Sequence, residues 1–355
     1  MRILITGICG FVGGALAHSL KQRIANVELC GIDNLMRPGS ETNRAALMQL
    51  GMDVRHGDIR CASDVEAMPD AEWVIDAAAN PSVLAGTGAA GSSRQLFENN
   101  LGALGNVLEY CRQRRAGLLL LSSSRVYSIP ALCGIPLKVL DGGFVLHCEE
   151  PLPRGLSAAG IAKDFSTEPP VSLYGATKLA SETMALEYGE AFGFPVWVTR
   201  CGVLTGAGQF GTPEQGIFAY WINAHLRKRP LRYIGFAGSG HQTRDALHPD
   251  DLCRLLLSQM SRTGAARQRV YTAGGGPENA MSLRQLTAWC DQRFGPHAPG
   301  IDAGPRRYDV PWVAMDNADA QRDFDWRPRI GIGQLLEEIA AHGERNPQWL
   351  EISGR

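Results

Sequence analysis

This sequence has no apolar run approaching the roughly 20 residues that a membrane-crossing helix needs, which sets a helical membrane span aside. It has almost no charge excess: 35 Lys and Arg against 36 Asp and Glu leave a formal net charge of −1. Nothing therefore draws the whole chain to nucleic acid or an anionic membrane, although a local basic pocket for a small phosphate ligand fits that balance. It has no Cys-x-x-Cys pair and no Cys/His cluster, and its nine cysteines are scattered and odd in number. That pattern argues against a disulfide framework or a structural zinc site; no metal is expected, and a reducing compartment is. Cys9 and Cys201 fall inside motif segments and read as small buried residues. Repeats and low-complexity linkers are missing too. The apolar start Ile3-Leu4-Ile5 is too short for a secretion signal and runs into glycines, so a cytoplasmic protein is expected.

What is present is an ordinary globular balance, 45% hydrophobic and 20% charged. A length of 355 residues calls for one large or two closely joined domains. The first half alternates short apolar runs with longer amphipathic ones. Residues 2–6, 27–33, 73–77, 117–122 and 195–200 read as strands, and the unbroken run Leu118 to Leu121 fits a strand covered on both faces. Residues 94–114 read as a helix, with Leu101, Leu104, Val107, Leu108 and Cys111 on one stripe. Alternating strand and helix predicts an α/β fold, a Rossmann-type doubly wound parallel sheet. After about residue 203 the pattern turns into helices, turns and short strands, one of them near Val270–Ala273. The expected division is a dinucleotide-binding domain over 1–203, with about 241–262 returning to it, and a smaller mixed α/β substrate domain over 204–355. Residues 128–172 look loop-like, and a loop of that length in a compact protein is usually functional.

Gly7, Gly10 and Gly13, with Phe11 and Val12 among them, follow the strand 2–6 and precede the apolar helical segment 15–20. In that context Gly7 allows a tight turn, Gly10 a close backbone approach and Gly13 close packing of helix on strand. The helix N-terminus then offers its N–H groups to a pyrophosphate. A glycine-rich turn without a ligand is the plain alternative. Against it, Asp33 ends the next strand 20 residues after Gly13, where an acid binding a cofactor ribose is expected. Its carboxylate would repel a 2′-phosphate and so favours NAD, while Arg37 leaves a counter-charge for NADP nearby. Asp58 and Ile59, after the third strand, are placed to flank the adenine. Ala77 and Ala78 would let backbone approach the cofactor, plain packing being the other reading.

Tyr174-Gly175-Ala176-Thr177-Lys178 puts a phenol and an ammonium on one helical face. Free tyrosine has a pKa of about 10, and lowering it by two to three units takes about 3–4 kcal/mol. One cation about 4 Å away supplies that much at an effective dielectric near 20. Tyr174 could then take a hydroxyl proton as hydride leaves the same carbon. Ser122-Ser123-Ser124 ends a strand and offers hydroxyls to hold the substrate oxygen. The alternative for Tyr174 and Lys178 is an amphipathic helix start with an exposed lysine. Arg244 could clamp a diphosphate or belong to an Arg244–Asp245 surface turn; His241 and His248 read as structural.

From Gly7–Gly13, through Ile32-Asp33-Asn34-Leu35 and His56-Gly57-Asp58-Ile59-Arg60, to Phe324-Asp325-Trp326-Arg327-Pro328, the chain resembles the extended short-chain dehydrogenase/reductase family. Within it, the chain is similar to NAD-dependent nucleotide-sugar epimerases, above all to 2-epimerases of CDP-sugars. The likeness covers nearly all of the chain except a short C-terminal tail. It implies Ser123, counted back from Val126-Tyr127, as the catalytic hydroxyl, with Ser124 as the fallback and otherwise a substrate-side residue. Tyr174 and Lys178 match the family's tyrosine and lysine. Asn34 falls within a matching cofactor segment, and Asn100 matches a cofactor-side asparagine. Gln209, Phe210, Arg244 and Arg306 resemble substrate-side residues. Asp76 stands where the family often has histidine, Thr272 where asparagine is frequent, and Pro311 where the 2-epimerases have arginine. The family's dehydratases carry acids directly after the catalytic hydroxyl, whereas Ser124-Arg125 follow here.

The resemblance thus implies an NAD-dependent epimerase of a nucleotide-diphosphate sugar, acting through a transient keto-sugar, at C2 of a CDP-sugar in its most specific form. The alternatives are an NAD(P)-dependent reductase or dehydrogenase of a sugar-like alcohol and a non-catalytic NAD-sensing protein. A homodimer or dimer of dimers is expected, paired through helices 94–114 and 174–189, with neither nucleic acid nor membrane as partner.

Overall fold

Seven short runs of apolar and β-branched residues build one sheet in the computed structural model, which describes residues 1–87, 92–262 and 268–354. The strands are β1 (Arg2–Thr6), β2 (Glu28–Asp33), β3 (Asp53–His56), β4 (Trp73–Asp76), β5 (Gly117–Ser123), β6 (Val196–Cys201) and β7 (Val270–Ala273). Their order is β7-β6-β5-β4-β1-β2-β3, a doubly wound parallel sheet. Register pairs Ile3 with Leu29 and Trp73, Cys30 with Asp53, and Trp73 with Gly117. The central run Leu118–Leu121 is buried throughout, as a strand with helices on both faces requires.

Helices α1 (Phe11–Arg23), α2 (Ala103–Arg114), α3 (Ser172–Phe192) and α4 (Pro249–Ser261) belong to this architecture. Alternation along the strands puts Leu4, Cys30, Val74, Leu118, Leu120, Val196 and Val198 in one core with Leu104, Val107, Leu108 and Cys111 of α2 and Ala185 of α3. Two residues further along the same pleat come Thr6, Asp76, Ser122 and Arg200, all buried. The apolar core therefore gives way to a polar seam at the carboxyl end of the strands, where doubly wound folds place their ligands. α1 and α4 are tied together by Asp250, which accepts from Ser19 at 2.5 Å and pairs with Arg23 at 2.5 Å.

The expected single helix over 94–114 is three pieces: Ser93–Phe97, a π-turn over Glu98–Gly102, and α2. Periodicity alone did not reveal the extra residue that the π-turn accommodates. β7 was expected in the C-terminal part and is instead the edge strand of the main sheet.

The chain divides into two compact units that interleave in sequence. The first comprises Met1–Val126, Leu173–Arg200 and Pro249–Tyr271; the second comprises Tyr127–Ser172, Cys201–His248 and the chain from Thr272 onward. In the second, the strand Thr243–Leu247 pairs in parallel with Val203–Leu204 and Trp312–Val313 and antiparallel with Ala280–Ser282. Trp221, Tyr233, Leu286 and Leu336 share its helical core.

Residues 127–172 are not a bare loop. They hold a hairpin, Leu137–Leu140 with Gly143–Leu146, turning through Asp141 and Gly142, both at positive φ (48° and 80°). This is the combination that a two-residue hairpin favours. A second hairpin, Leu156–Ser157 with Gly160–Ile161, bridges to Met315. Strands this short carry too little periodicity to be read before their partners are known.

Among the described residues, no helix is long and apolar enough to cross a membrane. Nor do His, Cys, Asp or Glu gather there in threes to hold a metal ion. None of the nine cysteines is in a disulfide.

Candidate active site

Two glycine positions are fixed by close contact. Gly7 turns at φ +65°, and a Cβ there would lie 2.9 Å from the Ala78 Cα; one on Gly13 would lie 2.2 Å from the Gly7 carbonyl oxygen. No side chain fits at either place. α1 starts at Phe11 with no side-chain cap from Gly10 and no acid in its first turn. Its first N–H groups, on Phe11, Val12 and Gly13, have no acceptor among the described residues. An uncapped helix start beside a side-chain-free turn is a ready site for a diphosphate.

Asp33, at the end of β2, is nearly buried. It accepts from the Cys9 N–H at 2.9 Å and the Leu35 N–H at 2.8 Å. Burial pushes its pKa up, and the N–H groups of Leu35, Cys9 and Gly10 pull it back. A carboxylate offers about four acceptor positions, so these bonds leave capacity for ribose hydroxyls. Asp58 is held down at about 2, first by its bond to Arg60, and also accepts from Asn34 Nδ2 at 3.0 Å. The Ile59 carbonyl accepts from Asn106 at 2.8 Å. Ala77 and Ala78 follow β4, and the Ala78 N–H donates to the Thr6 hydroxyl at 3.1 Å. Asn100, carried inward on the π-turn, clasps the backbone of Asn80 twice. It accepts from the Asn80 N–H at 2.7 Å and donates to the Asn80 carbonyl at 3.0 Å. Its own carbonyl accepts from Ser181 of α3 at 3.2 Å.

Tyr174 lies in the first turn of α3 with its ring against Ala85 and Leu96. Its phenol oxygen makes no hydrogen bond among the described residues. Lys178, one turn on, is only 4% exposed, which rules out the exposed-lysine alternative. Its ammonium donates to the Leu121 carbonyl at 3.0 Å. The three serines part company. Ser122 turns inward and donates to Glu182; Ser123 accepts from the Arg125 N–H at 3.1 Å; Ser124 is buried. Glu182, one turn beyond Lys178, forms a buried ion pair with Arg200 of β6 at 2.8 Å.

The second unit holds the remaining candidates. Arg244 is enclosed, donating to the carbonyls of Thr243 at 2.8 Å and Val310 at 2.7 Å and pairing with Asp309 at 3.1 Å. Asp245 points the other way and is fully buried, so the Arg244–Asp245 surface turn is excluded. Burial lowers the Arg244 pKa; Asp309 opposes that, and nearby Arg306 adds to it. Two guanidinium groups around one carboxylate leave a net positive cluster suited to a diphosphate. Gln209 and Phe210 have other engagements. The Gln209 amide donates to the Leu204 carbonyl at 2.8 Å and accepts from Thr205 at 2.7 Å, and Phe210 stacks on Trp349 at 5.3 Å.

Comparison with known proteins bears on both units. The model of a family described as the NAD dependent epimerase/dehydratase family matches residues 3–274. The chain belongs to that family. CDP-paratose 2-epimerase from Salmonella typhi is 28% identical over 356 residues, covering 96% of this chain and 98% of that protein. UDP-glucuronate 4-epimerase 2 from Arabidopsis thaliana is 25% identical over 360 residues, covering 96% of this chain and 75% of that protein. Among solved structures, a UDP-glucuronic acid 4-epimerase variant from Bacillus cereus, in complex with UDP-4-deoxy-4-fluoro-glucuronic acid and NAD, superposes with a TM-score of 0.79. At 21% identity, covering 97% of this chain and 99% of that one, it shows a shared fold.

As a member of an NAD-dependent family, the chain uses NAD. The glycine turn, the open start of α1 and Asp33 fit that group. When bound, NAD supplies hydride acceptance and return. Sequence reasoning missed Glu182, Arg200 and Asp309. Glu182 had left a signal, an acid on the buried face of α3 four residues after Lys178. Arg200 and Asp309 had left none, because their partners lie far away in sequence.

Proposed function

We propose that this chain is a nucleotide-sugar epimerase acting at C2 of a CDP-sugar. It oxidises one sugar alcohol to a ketone and reduces it again on the opposite face. The observation that carries the reading is the Tyr174 phenol, without a hydrogen bond among the described residues and one helical turn from a buried Lys178 held on the Leu121 carbonyl. In this account the Tyr174 oxygen takes the alcohol proton and later returns it, and Lys178 stabilises the phenolate. Ser123, whose hydroxyl makes no donor bond among the described residues, donates to the substrate oxygen. Ser124 borders the sugar. Asn100 holds the Asn80 backbone at the cofactor side, and Asn34, Asp58 and Ile59 line the adenine end. Arg244 and Arg306 are read as binding the diphosphate, and Gln209 and Phe210 as further substrate-side residues.

Likeness to CDP-paratose 2-epimerase along 96% of the chain supports C2 and the cytidine nucleotide. The absence of a carboxylate in Ser124-Arg125 supports epimerisation over loss of water. Asp33 supports NAD rather than its phosphorylated relative. A second copy of the chain would cover Leu173 and Met184, exposed three turns apart on α3, together with Phe97.

The test is turnover of CDP-, UDP-, dTDP- and GDP-sugars by wild type and Tyr174→Phe. Loss of a general base costs about 10²–10⁴-fold. A loss in that range with a CDP-sugar preferred is expected; unchanged turnover in the variant overturns the reading.

A further inference from the structure

The polar seam at the end of the sheet holds two buried carboxylates and two buried cations, and they do not pair evenly. Glu182 takes Arg200 through three hydrogen bonds of 2.8–3.1 Å and accepts from Ser122 as well. That pair cancels itself. What is left is Lys178 on α3 and Asp76 at the end of β4, 4% and 5% exposed.

Neither is bonded to an opposite charge. Lys178 donates to a neutral carbonyl, that of Leu121. Asp76 accepts from the Thr6 hydroxyl at 2.6 Å through one oxygen, and its other oxygen makes no hydrogen bond among the described residues. Sheet register sets the two side by side. Asp76 pairs with Leu120 on the adjacent strand, and Lys178 sits on the carbonyl of the next residue. Neighbouring strands lie about 4.8 Å apart, so the register brings the two residues into one buried layer of the sheet. Burial pushes the Asp76 pKa up, and Lys178 is the one charged group that draws it back. The other ionisable groups at this layer are Glu182 on α3, Arg200 on β6 and Cys111 on α2, and Tyr174 lies one helical turn before Lys178.

We propose that Asp76 is the counter-charge of the Tyr174–Lys178 pair and sets the pH at which Tyr174 gives up its proton. The proposal rests on the reading of Tyr174 and Lys178 as the proton-moving pair. When ionised, the Asp76 carboxylate stabilises the ammonium and opposes a second negative charge on the phenol. Asp76 therefore keeps the phenol protonated to a higher pH than Lys178 alone would. It acts through the pair and is a positioning residue.

The experiment is a near-ultraviolet phenolate titration of the NAD-loaded protein, taken as the difference between wild type and Tyr174→Phe. The same difference is then measured in an Asp76→Asn background. Removing one charge several ångströms away at an effective dielectric near 20 is expected to lower the Tyr174 midpoint by about one pH unit. An unchanged or higher midpoint overturns the proposal, and a purely structural role would lower the melting temperature without moving it. If Asp76→Asn does not fold, Asp76→Ser keeps a short polar group beside Thr6 and is held to the same outcome. If wild type and Tyr174→Phe show no difference up to about pH 10, the usual tyrosine range, the reading of Tyr174 falls and the proposal with it. If wild type titrates and the Asp76 variant titrates with it, only the proposal falls.

Discussion

At the scale of single residues, the buried acids carry the most information. Asp245 is fully enclosed, with one oxygen accepting from the Gly276 N–H at 3.2 Å and the Met315 N–H at 3.0 Å and the other without a hydrogen bond among the described residues. Burial raises its pKa to about 6, against an ordinary 3.8, while those N–H groups pull it down. Because the folded value lies above the unfolded one, the stability linked to this group is full below about pH 4. It is lost as pH rises through about 6. A shift of roughly two units corresponds to about 3 kcal/mol. Urea melts of wild type and Asp245→Asn should therefore diverge by about that amount between pH 4 and pH 7.5, in favour of the variant; parallel curves would contradict the assignment. Asp245 was legible in the sequence only as a neighbour of Arg244. Its burial depends on Gly276 and Met315, which no local pattern links to it. Gly7, Gly13, Tyr174 and Lys178 were legible because each motif lies within seven consecutive residues.

At the scale of elements, α3 is fastened to the sheet at two successive turns, by Lys178 on β5 and by Glu182 on β5 and β6. This fixes the depth at which Tyr174 emerges. Removing one partner of a buried ion pair costs about 3–5 kcal/mol, because the other charge is left unpaired. Glu182→Ala should lower unfolding free energy by about that much in urea, whereas a loss below about 1 kcal/mol would show that the pair does not hold the helix. The strands of the first unit could be read in advance because both faces are buried, which leaves unbroken apolar runs such as Leu118–Leu121. The π-turn could not. Its extra residue shifts the stripe only slightly, and its consequence, Asn100 turned onto the Asn80 backbone, lies in tertiary contact.

At the scale of the whole molecule, the two units differ in how far sequence could reach. The first is built from local strand–helix repeats. The second assembles strands of two to five residues from positions as distant as 203, 243, 280 and 312, and it takes in residues 127–172 as well. Pairing over such separations is a tertiary outcome, and none of those strands has enough length to announce itself. The glycine turn, Asp33 and the α3 pair lie in the first unit, while the guanidinium cluster of Arg244 and Arg306 lies in the second. An epimerase that regenerates its cofactor at every turnover should retain NAD through purification and work without any being added.

The most direct test of that account is NMR of the purified protein with CDP-, UDP-, dTDP- and GDP-sugars in D₂O, with no cofactor supplied. The account predicts an epimer of the CDP-sugar that carries no deuterium at the inverted carbon, because the hydrogen that leaves is the one that returns. Deuterium at that carbon would show exchange with solvent through an enol and would contradict the mechanism.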